Sequence, residues 1–312
     1  GVQTRGHLAA IDLATNTITA WNPNAGSTIN AMVTDGTTIF VGGSFTTIGG
    51  NAYTRAARIA TNGFVSGCGN PDLTVNAMAV ADGFLYLGGS FNTVSGVTRY
   101  GLSKHSASVC TNQGTWNPSS AAANSVSALA VSGSTLYVAG SFSSLGGQSR
   151  NRIAALNVSD GLAQTWNPGV DGTVSTLLLS GTTLYTAGTF TTIGGQARAN
   201  IAALDTASNT ALAWNPSANG SVSSIALAGT TLYAGGNFTN IGGQMRNYFA
   251  ALDTTSDTNN ANSMNPNPNA AVDNIHVSGS TIFLGGNFTA VGNAGARSPA
   301  NIDAATGNLL EY

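Results

Sequence analysis

Residues 174–216 read VSTLLLSGTTLYTAGTFTTIGGQARANIAALDTASNTALAWNP. Residues 174–179 form a short run of apolar and small side chains, the pattern of a strand buried on both faces. Ser180-Gly181-Thr182 is a tight turn, and residues 183–190 are rich in aromatic and β-branched side chains that suit a pleated surface. Ile193-Gly194-Gly195 breaks that strand, and residues 200–204 resume as a third. Residues 205–209 then turn the chain, because short polar side chains bond the local backbone. Residues 210–214 make a fourth strand, stopped at Asn215-Pro216 since proline has no N–H to give to a ladder.

Working outward, the same signals return along the whole chain. Asn-Pro recurs at Asn22-Pro23, Asn70-Pro71, Asn117-Pro118, Asn167-Pro168, Asn215-Pro216 and Asn265-Pro266, in steps of 48, 47, 50, 48 and 50 residues. Trp21, Trp116, Trp166 and Trp214 precede four of these pairs; Met264 and Cys68 with Gly69 stand in the other two. A second marker ends at Phe45, Phe91, Phe142, Phe190, Phe238 and Phe288. The third is a row of arginines: Arg5, Arg55, Arg99, Arg150, Arg198, Arg246 and Arg297. Three markers keeping step make an internal repeat, and four-stranded units of this length are the blades of a β-propeller. A linear stack of sheets is the rival architecture. The expected fold is all-β, with one domain over residues 1–312. Its repeats are 24–71, 72–118, 119–168, 169–216, 217–266 and 267–312, with 1–23 as an outer half-blade. Six first-and-second strand pairs stand against seven third-and-fourth pairs. The expectation is six blades with a surplus outer hairpin; the alternative is seven with one incomplete. The aromatics Phe40, Tyr86, Tyr137, Tyr185, Tyr233 and Phe283 are expected to pack sheet against sheet, and small first-strand residues such as Ala31 and Ala77 to line a crowded axis.

The unit NGSVSSIALAGTTLYAGGNFTNIGGQMRNYFAALDTTS (219–256) resembles the delta-60 repeat, a bacterial secreted β-propeller family. The shared elements are the Asn-Pro entry, the V-x-A-L-A-V strand, G-G-x-F, and G-G-Q-x-R-N before an A-A-L-D strand. The resemblance spans essentially the whole chain and implies a propeller with a secreted or surface location. It implies no reaction and transfers no catalytic residue. The second unit departs most, with Ser95-Gly96 in place of Gly-Gly and an irregular stretch at 104–114.

Composition narrows the function. Charged residues are 7% of the chain, against an average near ~25%. Lys104 is the single lysine and the net charge is -2, so a nucleic-acid partner, which needs clustered cations, is excluded. No apolar stretch is long enough for a helix to span a membrane. The chain starts at Gly1 rather than Met, which is read as removal of an upstream segment. An uncharged surface of hydroxyls and amides points to an extracellular or cell-surface setting. Cys68 and Cys110 suit one disulfide there, and two unpaired cysteines fit the sequence equally well. Asn157 and Asn219 lie in turns and are the candidate glycosylation sites, whereas Asn237 and Asn287 sit in a packed slot.

No reactive set assembles. His7, His105 and His276 occupy unrelated repeat positions without a metal-ligand spacing, so neither metal nor cofactor is expected. Asp12, Asp205, Asp253 and Asp303 begin turns. Asp72, Asp171 and Asp273 flank first strands and are the acids a polysaccharide-active enzyme would need on one rim. The arginines either bond blade carbonyls, or the acid seven residues on (Arg5 with Asp12, Arg198 with Asp205, Arg246 with Asp253), or form a cation ring for an anionic polysaccharide; recurrence favours the structural role. The reading is therefore a non-enzymatic structural or adhesion propeller that associates with copies of itself or other surface proteins. A carbohydrate-binding module is the alternative.

Overall fold

A computed structural model of the chain describes residues 4–13, 15, 17–119, 124–292, 294–296 and 298–310. Regular structure among them is entirely β. Sheet one consists of Ile29–Thr34, Thr38–Gly43, Ala56–Ala60 and Val65–Gly67; sheet two of Val75–Ala81, Phe84–Gly89 and Leu102–Ser106; sheet three of Ser125–Ser132, Thr135–Ser141 and Ile153–Asn157. Sheet four holds Thr173–Ser180, Thr183–Thr189 and Ile201–Asp205; sheet five Ser221–Ala228, Thr231–Asn237 and Phe249–Asp253; sheet six Val272–Ser278, Thr281–Gly286 and Ala300–Asp303. Ahead of them Ile11–Asp12 and Thr17–Ile18 form a lone hairpin. The chain makes two compact units, one with the hairpin and sheets one to three, the other with sheets four to six.

Each first strand carries a β-bulge at the same place, between Ile29 and Ala31, Val75 and Ala77, Val126 and Ala128, Val174 and Thr176, Val222 and Ser224, and Val272 and Asn274. The second strand answers with a glycine there. A Cβ on Gly43, Gly89, Gly140, Gly188, Gly236 or Gly286 would lie 2.0–2.2 Å from the backbone oxygen of the residue that opens or just precedes the first strand, so no other residue fits. Between second and third strands sits a small hairpin such as Thr192–Ile193 with Gln196–Ala197. Its two turn residues need positive φ, supplied by Gly194 (59°) and Gly195 (70°), and in sheet two by Ser95 (53°) and Gly96 (73°).

The expected fourth strand is a strand only in sheet one. In sheets two to six it shrinks to one bridge: His105 with Asn112, Leu156 with Ala163, Leu204 with Ala211, Leu252 with Ala261, Ile302 with Leu309. Side-chain chemistry accounts for the loss in sheets two to five. The carbonyl that would continue the ladder is bonded there by the repeat arginine.

The second-strand aromatics fasten one sheet to the next. Phe40 joins Val75, Leu85, Leu87 and Phe91 of sheet two; Tyr86 and Trp116 join Val126, Leu136 and Val138 of sheet three. In the second unit Tyr185 and Trp214 join Val222 and Leu232, and Tyr233 with Phe249 joins Val272 and Ile282. Tyr86–Trp116 and Tyr185–Trp214 meet edge to face, at 5.7 and 5.4 Å between centroids.

Candidate functional site

The arginines act on the backbone. Nη2 donates to the carbonyl two residues before the Trp/Met position: Arg5 to Thr19 (2.6 Å), Arg99 to Gly114 (2.6 Å), Arg150 to Gln164 (2.5 Å), Arg198 to Leu212 (2.6 Å) and Arg246 to Asn262 (2.6 Å). Nη1 donates to the carbonyl just before the arginine itself. Asp205 and Asp253 instead accept N–H groups of their own turns, from Ala207 and Thr255. Arg55 does not hold the repeat position. Its φ of 63° matches Arg152, Asn200 and Tyr248, two residues beyond the repeat arginine, so Tyr53 stands in the arginine slot of sheet one. Sheet one is also the sheet with a full fourth strand. In sheet six the slot falls to Ala296, whose N–H bonds Thr289 as the Arg246 N–H bonds Thr239; Arg297 lies outside the described residues.

A recurrent contact ties the end of one repeat to the turn after the third strand of the next sheet. In the second unit the indole N–H of Trp166 donates to the Asp205 carbonyl (2.9 Å) and that of Trp214 to the Asp253 carbonyl (3.0 Å). In the first unit Cys68 occupies the Trp slot and is joined to Cys110, in the turn of sheet two, by a disulfide with Cα atoms 4.8 Å apart. Third-strand cations add to it: Arg58 donates to the Ser108 carbonyl, and Lys104 Nζ donates to the Val158 carbonyl (2.7 Å) while lying 3.8 Å over the Phe84 ring. Burial lowers the pKa of Lys104.

The acids divide differently from the sequence expectation. Asp72 and Asp171 hold one position, shared with Asn219 and Asn269, where a side-chain oxygen accepts two backbone N–H groups that open the small hairpin. Burial pushes the Asp72 carboxyl up, but bonds from Thr93 and Asn92 outweigh it; in Asp171 bonds from Thr191 and Thr192 do the same, so both lie below the ordinary carboxylate range. Carboxylates held this way are poor proton donors. Asp273 is not their equivalent: it sits at the sheet-six bulge and accepts from Asn287 Nδ2 (3.3 Å). Asn219 also engages its Nδ2, which donates to Thr239 Oγ1 (2.9 Å), while Asn157 Oδ1 caps Ser159.

His105 lies within the third strand of sheet two, fully buried, with Nε2 against Ser103 Oγ (3.0 Å) and Nδ1 against the Cys110 carbonyl (3.3 Å). Burial is the main cause that brings its pKa down to about 4, so the ring is neutral with its proton on Nδ1. His7 and His276 are exposed and unrelated to it. Among the described residues no group of three or more His, Cys, Asp or Glu is placed to hold a metal ion, and no helix is long and apolar enough to cross a membrane.

The feature with interaction chemistry is the lone hairpin. By the register of Arg5 and of His7 (φ 55°), residues 8–12 correspond to a third strand such as Ile201–Asp205. In sheet four that strand is paired with Thr183–Thr189 through Thr183 with Asp205, Tyr185 with Ala203 and Ala187 with Ile201. The hairpin has no such partner among the described residues. Ala9 is accordingly exposed, whereas Ala57, Ser103, Ala154, Ala202 and Ala250 are 0% exposed; Ile11 is 39% exposed, whereas Ile59, His105, Leu156, Leu204, Leu252 and Ile302 are 0%. The repeat arithmetic of the sequence points to this edge. The Asp/Asn clamp and the carbonyl-directed ties are not signalled by spacing, since their partners are backbone atoms.

Successive bulged antiparallel sheets, with small hairpins between their second and third strands, fit repeats of the propeller class. Residues 35–65 and 135–161 match the family described as "Domain of unknown function (DUF5122) beta-propeller". These two short stretches support a β-propeller repeat family. No curated protein matches the sequence. Among solved structures, the computationally designed Ika8 protein is similar over 94% of this chain and 87% of its own (TM-score 0.55, 11% identity). A chain of the Mitotic Checkpoint Complex is similar over 88% and 76% (TM-score 0.60, 12% identity). The extracellular domain of a putative hybrid two-component system from B. thetaiotaomicron is similar over 86% of this chain and 33% of its own (TM-score 0.54, 17% identity). At these identities the likeness concerns the fold.

Proposed function

We propose that the chain is a non-enzymatic extracellular structural or adhesion propeller, with the six sheets as blades and the lone hairpin as a surplus half-blade through which it associates. The carrying observation is the exposure of Ala9 and Ile11, positions buried in the complete sheets. An unpaired strand edge with an apolar face is a template for another strand, which supplies both ladder bonds and burial. Two copies meeting edge to edge satisfy that need, as does a strand of another surface protein with the pattern Thr-apolar-aromatic-x-Ala/Gly found opposite the third strands. Low charge removes the repulsion that would keep copies apart. The repeat's resemblance, the neutral surface and the disulfide support a secreted location.

Light scattering across a concentration series tests the reading. Association is expected to rise with concentration, to be competed by the peptide GTTLYTAGTF (residues 181–190), and to disappear in Ile11→Lys with an unchanged melting temperature. A species that stays monomeric throughout and ignores the peptide overturns it.

A further inference from the structure

Trp21 differs from every other repeat tryptophan. Trp116, Trp166 and Trp214 are 2–6% exposed, whereas Trp21 is only half-buried. The turn its indole N–H would reach is shorter than its counterparts: Ala60 N–H bonds the Phe64 carbonyl, where Asp205 N–H bonds that of Thr210 and Asp253 N–H that of Asn260. Within that tighter turn the Ala60 carbonyl accepts from Gly63 N–H (2.9 Å). Among the described residues the Trp21 indole N–H is left without an acceptor, and it is not enclosed.

The ring borders an open cleft of about 350 Å³ with Asn22, Thr61 and Asn62, and a second cleft of about 550 Å³ runs on from it past Asn22, Pro23 and Gly63 to Asn51 and Phe64. Both volumes fall in the range of about 300–1,000 Å³ typical of small-molecule sites. Phe64 is 67% exposed, in a repeat position filled elsewhere by Thr111, Leu162, Thr210, Asn260 and Asn308, so the fold does not require an aromatic there. Asn62 Oδ1 accepts Phe64 N–H and Asn51 Nδ2 donates to Gly49, which leaves Asn62 Nδ2, Asn51 Oδ1 and the Asn22 amide facing solvent. No lining residue of either cleft is charged. The corresponding cleft beside Asn265-Pro266 is lined without any aromatic residue.

We propose that the two adjoining clefts, bordered by Trp21 and by Phe64 and sharing Asn22, Pro23 and Gly63, together bind a neutral sugar. Aromatic faces take the apolar C–H side of a pyranose, an indole N–H and amides of both polarities take its hydroxyls, and the absence of charge selects against uronic acids and phosphates. This inference is independent of edge association.

The test uses the intact chain and a panel of maltose, cellobiose, laminaribiose, mannobiose and xylobiose, with trigalacturonate as the charged control. Binding is followed by calorimetry and by tryptophan emission, to which only Trp21 among the four tryptophans is solvent-responsive. At least one neutral disaccharide is expected to bind saturably, to be insensitive to about 1 M salt, and to bind about tenfold more weakly (about 1.4 kcal/mol) in Phe64→Ala and Asn62→Ala at unchanged melting temperature. Trp21→Phe is expected to abolish the emission change. No binding of any neutral sugar up to about 20 mM, binding of trigalacturonate alone, or affinity unaltered by both exposed-residue variants overturns the proposal.

Discussion

The two halves of the chain meet one geometric requirement with different chemistry. In the second half the end of a repeat is tied to the next sheet's turn by neutral hydrogen bonds, Trp166 to Asp205 and Trp214 to Asp253. In the first half the same junctions carry a disulfide, Cys68–Cys110, and the cations Arg58 and Lys104. The irregular stretch of the second repeat is where the difference is concentrated: Lys104, His105 and Cys110 all lie in it. The comparison teaches that a departure from a repeat can preserve its function in the fold. What both halves keep is a joint, and the side chain that makes it is interchangeable.

Removing the covalent joint should have the largest effect. Cys68→Ser with Cys110→Ser opens a link spanning 42 residues and is expected to destabilise the protein by about 3–4 kcal/mol. Urea denaturation with hydrogen exchange should show sheets one to three opening before sheets four to six. Equal protection of both halves would break the contrast.

Acid should act next, through His105. Its folded pKa is about 4, against about 6.5 when unfolded. Its stabilising contribution is therefore complete above about pH 6.5 and is lost as pH falls toward 4, by about 3 kcal/mol. His105→Leu, which installs the residue found at Leu204 and Leu252, should flatten stability between those pH values; an unchanged slope would assign the acid sensitivity elsewhere.

A smaller loss is expected from Trp214→Phe, about 1–2 kcal/mol, because the Asp253 carbonyl loses its donor. Trp116→Phe sharpens the point. The Trp116 indole N–H is buried without an acceptor, and the turn carbonyl of Asn157 accepts the Gly161 N–H instead. That variant should lose less than Trp214→Phe in the same thermal melt. The smallest effect belongs to Lys104→Met, within about 1 kcal/mol, since an apolar side chain of similar length avoids the desolvation that offsets the Val158 bond. A loss as large as that of the disulfide would make Lys104 a principal joint of the first half.

Much of the molecule is legible in residue order. The strand hairpins, their turns and the surplus outer pair follow from local pattern, because alternation, glycine conformations and proline's missing N–H act over a few residues. The candidate edge at residues 8–12 follows from counting repeats. The shrunken fourth strand is hidden, since it depends on a guanidinium reaching a carbonyl some fifteen residues away. Arg55 is misplaced for a related reason: spacing alone does not distinguish a repeat slot from a left-handed residue two positions on, and only backbone geometry puts Tyr53 in the slot.

The sequence by itself determined that the chain is a run of small sheets and that one third-and-fourth strand pair is surplus to the inner pairs. Only the tertiary structure decided which side chain closes each joint, whether the cysteines meet, which acids are clamped, and that Trp21 is left half-buried at a cleft with Asn22 and Asn62. The reason is that local pattern is written in side-chain type along the chain, whereas these joints are made to backbone carbonyls and to residues forty or so positions away, whose positions exist only once neighbouring sheets have packed.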